Sequence, residues 1–137
     1  MQWNNKFIYP KSTRSIMQGY RHYAVNQENL PSVTTILKAT ESDEKKAKLA
    51  EWKNRVGHKQ AEIISREATS RGSSMHDYLE KFLLGKLNMD LLGDNTQEKM
   101  MADQIIENGI RDKLTEIWGC EATLYYPGKY AGAADCI

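Results

Sequence analysis

The sequence has no long apolar run. Of its 137 residues, 40% are apolar and 27% charged, and no stretch approaches the roughly 18 apolar residues of a membrane helix. The first residues, MQWNNKFIYPKSTRS, lack the compact apolar segment of a secretory leader, so a cytoplasmic protein without membrane association is expected. Cysteine is scarce. Cys120 and Cys136 have no metal-type spacing and read as reduced thiols. Net charge is also lacking, since 19 basic residues against 18 acidic give +1. Bulk electrostatics therefore neither selects nor excludes a nucleic-acid partner; what matters is whether cations gather on one face. The length suits one domain.

What is present is a succession of helical periods. Residues 1–19 show none and are expected to form an irregular arm. YRHYAV (20–25) reads as a short strand and NQENLPS as a polar turn. Pro31 opens PSVTTILKAT, where Val33, Ile36 and Leu37 share one face of a short helix. In SDEKKAKLAEWKNRVG (42–57), Ser42 can cap, Asp43 and Glu44 sit at the positive helix end, Leu49, Trp52 and Val56 point inward, and Gly57 stops the helix. HKQAEIISREATSRG (58–72) repeats the logic, with Ala61, Ile64 and Ala68 inward and Gly72 closing.

SSMHDYLEKFLLG (73–85) carries the strongest stripe, Met75, Tyr78, Leu79, Phe82 and Leu83, with Ser73 or Ser74 as its cap. KLNMDLLGDN (86–95) is a connector. A long helix from Asn95 or Thr96 is expected to bury Met101, Ile105, Ile110, Leu114, Ile117 and Trp118; Glu98 completes a capping box if Asn95 is the cap. After Gly119 the period changes. CEATLYY, the turn PGK and YAGAADCI read as a β-hairpin ending at Ile137. Two strands alone are marginal in water, so more sheet is expected downstream. Helices first and a sheet at the end suggest the N-terminal part of a longer α/β domain, or one half of a split protein.

Two residues invite a chemical reading. In YAGAADCI, Ala131, Ala133 and Asp135 point one way along the strand, and its small residues let another element approach the backbone closely. Asp135 is either a site acid or a turn residue ending the strand. His76 falls in the first turn of the 73–85 helix, where the positive end disfavours imidazolium and leaves a ring nitrogen free for a metal. Its plain alternative is a partly buried histidine bonded to a neighbour.

The order RGxxxH helix, long helix, strand with Glu121, then GxxD strand resembles the RecB-like branch of the PD-(D/E)XK nuclease superfamily, near the mitochondrial genome maintenance exonucleases and related phage exonucleases. The residues that carry the likeness are LPSVTTIL (30–37), LAEWKNRVG (49–57), ATSRGSSMHDYLEKFLLG (68–85) and EATLYYPGKYAGAADCI (121–137). The resemblance implies an α/β, restriction-endonuclease-like core, with residues 20–137 as the N-terminal portion of a single domain and only the first strands of a truncated central sheet. It implies a metal-dependent DNA exonuclease, hydrolysing phosphodiester bonds at single-stranded ends during DNA processing or recombination. Such a protein would work in the cytoplasm, of a host cell if phage-encoded.

Carried over, His76 and Asp135 would ligate Mg²⁺ or Mn²⁺, one ion or two. The nitrogen donor tilts preference toward Mn²⁺, and the metal would activate water and neutralise the scissile phosphate. Glu121 matches a strand-start position as a ligand, a partner of a ligand or a structural residue. Lys53, Arg55, His58, Lys59, Arg66 and Arg71, interleaved with Glu51, Glu62 and Glu67, form either a solvated surface or a DNA-facing one. The resemblance raises phosphate tracking for Arg66 and Arg71, with Lys59 and Arg55 beyond them. Trp52 and Tyr126 could stack on bases, although Trp52 fits its helix's apolar face.

The departure from the pattern is large. The family's acid-x-Lys strand, expected after the GxxD strand, has no counterpart before Ile137, and the later Gln/Tyr helix is missing too. DEK, EKK and EWK within residues 43–53 lie upstream of His76, in a predicted helix. The 137 residues are therefore expected to be catalytically incomplete, the missing motif coming from further sequence or a second chain. The alternatives are a non-catalytic DNA-binding module or nuclease remnant, and a helical interaction protein with no nucleic-acid role.

Overall fold

The computed structural model describes residues 1–86 and 96–137, so most of the expected 86–95 connector, Asn95 included, lies outside the described residues. The chain is mixed α/β. Its elements are β1 (Gln2–Trp3), β2 (Ser12–Met17), β3 (Tyr20–Val25), β4 (Glu28–Pro31), α1 (Val33–Ala39), α2 (Asp43–Val56), α3 (His58–Leu83), α4 (Gln97–Ile105), β5 (Glu116–Ile117), β6 (Cys120–Tyr126) and β7 (Tyr130–Cys136). They divide into a helical unit, Met1–Gln2 with Ala47–Glu116, and a strand unit, Trp3–Lys46 with Ile117–Ile137. Among the described residues no helix is long and apolar enough to cross a membrane.

The strand unit begins where an irregular arm was expected. β2, β3 and β4 form an antiparallel meander, with Arg14 opposite Tyr23 and Tyr23 opposite Leu30. Its two turns are two residues long, Gln18–Gly19 and Asn26–Gln27, and all four residues have positive φ. That is the type I′ conformation whose twist suits a tight hairpin. The stretch expected as a polar turn therefore holds its turn at Asn26–Gln27 alone, and Glu28–Pro31 is strand. β6 and β7 form the expected hairpin around Pro127–Gly128–Lys129, with Gly128 at φ 70° and Tyr126 opposite Tyr130. Tyr23, Val25, Leu30 and Ala131 make the buried core between meander and hairpin, and Tyr125 packs against it.

Polar bonds fix hairpin to meander. Asn26 Nδ2 donates to Tyr125 Oη at 2.6 Å, the Gly128 N–H donates to Glu28 Oε1 at 2.8 Å, and the Ser12 and Thr123 hydroxyls lie 2.7 Å apart. Ser32, buried to 1% exposure, caps α1 by accepting from the Thr35 N–H at 3.0 Å. The Ser32 N–H and the Thr35 hydroxyl both donate to the Arg21 carbonyl. The start of α1 is thus bolted to β3, and Ser32 also bridges to Ala131 of β7.

In the helical unit, α3 runs unbroken for 26 residues, about 39 Å at 1.5 Å per residue. The expected break at Gly72 does not occur. Gly57 does break the chain, because it adopts φ 90° between α2 and α3. Gly72 keeps helical geometry, and a glycine inside a helix costs only about 1 kcal/mol against alanine, too little to stop the helix formers on either side. Ser73 and Ser74 are accordingly interior helix residues and cap nothing.

Tyr78, Leu83 and Ala61 are buried on α3, while Ile64 and Ala68 are exposed. No residue of α2 is buried: Trp52 and Val56 are half-buried and Leu49 is exposed. α4 is capped by Thr96, which accepts from the Lys99 N–H at 3.3 Å. The expected long helix ends early, passing into a π turn over Ile106–Ile110 that contains Asn108 and Gly109. Its buried set is Ala102, Ile106 and Ile110, whereas Met101 and Ile105 are exposed. Ile117 is buried as expected, but on strand β5 of the other unit.

Candidate functional site

The strand unit contains a cleft of about 590 Å³ between the meander, the start of α1 and the β6–β7 hairpin. Strand alternation explains which side chains reach it. Arg14 faces Tyr23 across the β2–β3 pair, and Arg21 lies two residues from Tyr23 on the same strand face. Both arginines line the cleft, with Ser32 and Thr34 from the α1 start. The hairpin contributes Glu121 and Asp135 at one end and the tyrosines 125, 126 and 130 toward the other. The rings of Tyr126 and Tyr130 stack with centroids 6.0 Å apart.

Gly132 permits this packing. A Cβ there would stand 3.3 Å from Val33 Cγ2, so the bare backbone lets α1 close onto β7. The small residues read from YAGAAD thus do what their size suggested. Glu121 adopts φ 50° inside β6, an uncommon conformation for a non-glycine residue. Asp135 is exposed and acts on its neighbour: partial burial, and after it the Asp135 carboxylate, push the Cys136 thiol above its ordinary value.

Glu121 and Asp135 are therefore brought to one cleft. His76 stands in the helical unit, exposed, well inside α3. The helix-dipole reason for a neutral imidazole falls with this placement, because no helix begins near it. Arg55 is exposed on α2, and Lys59, Arg66 and Arg71 are on α3. At about 100° per residue, Lys59 and Arg66 share a face while Arg71 lies about 140° round from it. Arg66 pairs with Glu62 at 3.6 Å, and Arg71 Nη1 reaches Gln97 Oε1 of α4 at 3.5 Å.

Two carboxylates on an open cleft fit a divalent cation in part. Mg²⁺ is commonly held by one or two carboxylates, waters and substrate phosphate rather than by a full protein cage. Among the described residues no group of three or more His, Cys, Asp or Glu side chains gathers as a metal-holding set.

Of the cleft residues, Tyr126 is a candidate from the sequence, whereas Arg14, Arg21, Ser32, Tyr125 and Tyr130 are not. The available signal was period-2 alternation in STRSIM and YRHYAV, which puts Arg14 with Ile16, and Arg21 with Tyr23, on single strand faces. No protein-family model, curated protein or solved structure matches the chain.

Proposed function

We propose that the chain is part of a metal-dependent DNA exonuclease of the restriction-endonuclease-like, PD-(D/E)XK type, acting on single-stranded ends. One observation carries the reading: Glu121 and Asp135 line the same cleft as Arg14 and Arg21. Phosphodiester chemistry calls for that pairing of hard oxygen donors with guanidinium forks that match phosphate oxygens. Asp135 and Glu121 hold Mg²⁺ or Mn²⁺. Bound, the cation activates water and offsets charge on the phosphate. Arg14 and Arg21 orient the phosphate.

Fluorescence anisotropy with a labelled oligothymidylate tests this. Binding is expected to be tighter in Mn²⁺ than in EDTA. Asp135→Asn and Glu121→Gln should remove the Mn²⁺ increment, while Arg14→Gln with Arg21→Gln should weaken binding in both buffers. No binding, or an increment untouched by the carboxylate variants, overturns the reading. Metal-dependent binding by a protein that also carries the acid-x-Lys strand, yet without hydrolysis, would move the assignment to a non-catalytic DNA-binding module.

A further inference from the structure

Cys120 and Cys136 face each other across the open end of the β6–β7 hairpin, as direct partners in its register. The hydrogen bonds next to them fix what kind of pair they are. Gly119 and Ile137 exchange both backbone bonds, Ile137 N–H to Gly119 O at 2.9 Å and Gly119 N–H to Ile137 O at 3.2 Å. In an antiparallel ladder the neighbours of such a pair are non-hydrogen-bonded, with Cα atoms about 4.5 Å apart and side chains at their closest. That separation falls within the range a disulfide spans, Cα atoms about 4.4–6.8 Å apart. Neither cysteine is in a disulfide, Cys136 is exposed and Cys120 half-buried, so a small thiol reagent has a way in.

We propose that Cys120 and Cys136 form a reversible cross-strand disulfide, made by exchange with a low-molecular-weight disulfide such as oxidised glutathione. The inference is independent of the nuclease reading. The exposed Cys136 sulfur attacks the glutathione disulfide, forming a mixed disulfide and releasing one glutathione thiolate. Cys120 sulfur then attacks the Cys136 sulfur of that mixed disulfide and releases the second glutathione. Two cysteine thiols are oxidised, one glutathione disulfide is reduced, and the two thiol protons pass to the leaving thiolates. An exposed bridge of this kind is also readily reduced, which makes it labile rather than structural.

The position gives the bridge a consequence. Cys120 immediately precedes Glu121 and Cys136 immediately follows Asp135. The oxidised form therefore clamps the two strands one residue from each carboxylate lining the cleft, and the reduced form leaves that hairpin end without the covalent cross-link.

The test treats the native chain with oxidised glutathione and reads intact mass and a non-reducing tryptic map. The expected product is monomeric, two hydrogen masses lighter, and joins the 114–129 and 130–137 peptides. Its yield relative to mixed disulfide should be several-fold higher in buffer than in urea, because the folded hairpin supplies the geometry. Cys120→Ser should stop at a single glutathione adduct on Cys136. Glutathione on both cysteines without a bridge, an intermolecular dimer alone, or equal bridge yield in urea would overturn the proposal.

Discussion

A methyl group placed on Gly132 would stand 3.3 Å from Cγ2 of Val33. Val33 is β-branched, hence stiff at χ1, and it begins a helix whose cap, Ser32, is bonded to β3 and bridged to β7. The contact has little room to relax. Gly132→Ala should therefore lower stability to urea by about 1 kcal/mol, the cost of mild overpacking. In a Val33→Ala background the same change should cost nothing measurable. Additive effects in that double-mutant cycle would contradict the close approach.

Ser32 is buried and serves the Thr35 N–H while its hydroxyl lies 2.8 Å and 2.9 Å from those of Thr34 and Thr35. Ser32→Ala removes the cap that serves the Thr35 N–H, so denaturation should show a loss of about 1 kcal/mol. Ser32→Asp keeps a capping oxygen but must fit a bulkier, charged group at a position only 1% exposed, and is expected to be less stable than wild type. A variant as stable as wild type would remove the α1 start from the account of the cleft.

Much of this arrangement was legible in the sequence, and the failures have separate physical causes. The hairpin at 120–136 was readable because PGK interrupts two β-rich runs. Gly57 and Gly72 carry the same helix-stop signal in the sequence, yet only Gly57 takes a positive φ, and α3 continues through Gly72. The meander's central strand is legible as YRHYAV, but its flanking strands are not, because the type I′ turns use Gln18, Asn26 and Gln27 in place of the usual Asn-Gly pair. Arg14 lies on one of those unexpected strands, and Arg21 lies on the expected one. After Thr96, Ala102 and Ile106 are buried in place of Met101 and Ile105, Ile110 is buried as expected, and the π turn at Ile106–Ile110 ends the regular helical period expected to extend to Trp118.

In the helical unit, Tyr78 Oη donates to Asp103 Oδ1 at 3.2 Å, and Lys99 Nζ donates to Asp103 Oδ2 at 2.7 Å. Burial first, then the Asp103 charge, raise the Tyr78 hydroxyl above its ordinary value of 10.0, with Lys99 opposing. A group raised on folding stabilises fully below its unfolded pKa, and that contribution is lost as pH rises through the folded value. Thermal melts of wild type should therefore fall faster than those of Tyr78→Phe above pH 10. Parallel curves would contradict the burial of this hydroxyl.

His76 is exposed inside α3, where alanine is the better helix former. His76→Ala should leave urea stability within about 0.5 kcal/mol of wild type. A larger loss would make His76 structural and remove it as a ligand candidate.

Under the proposed function, Glu121 and Asp135 together hold a divalent cation in the strand-unit cleft. Titration of Mn²⁺ into the protein, followed by the electron paramagnetic resonance of the free ion, tests it most directly. Wild type should take up Mn²⁺ saturably, and Glu121→Gln with Asp135→Asn, matched in fold by circular dichroism, should bind at least about tenfold more weakly. No saturable uptake by the wild type, or equal uptake by the double variant, would contradict the claim.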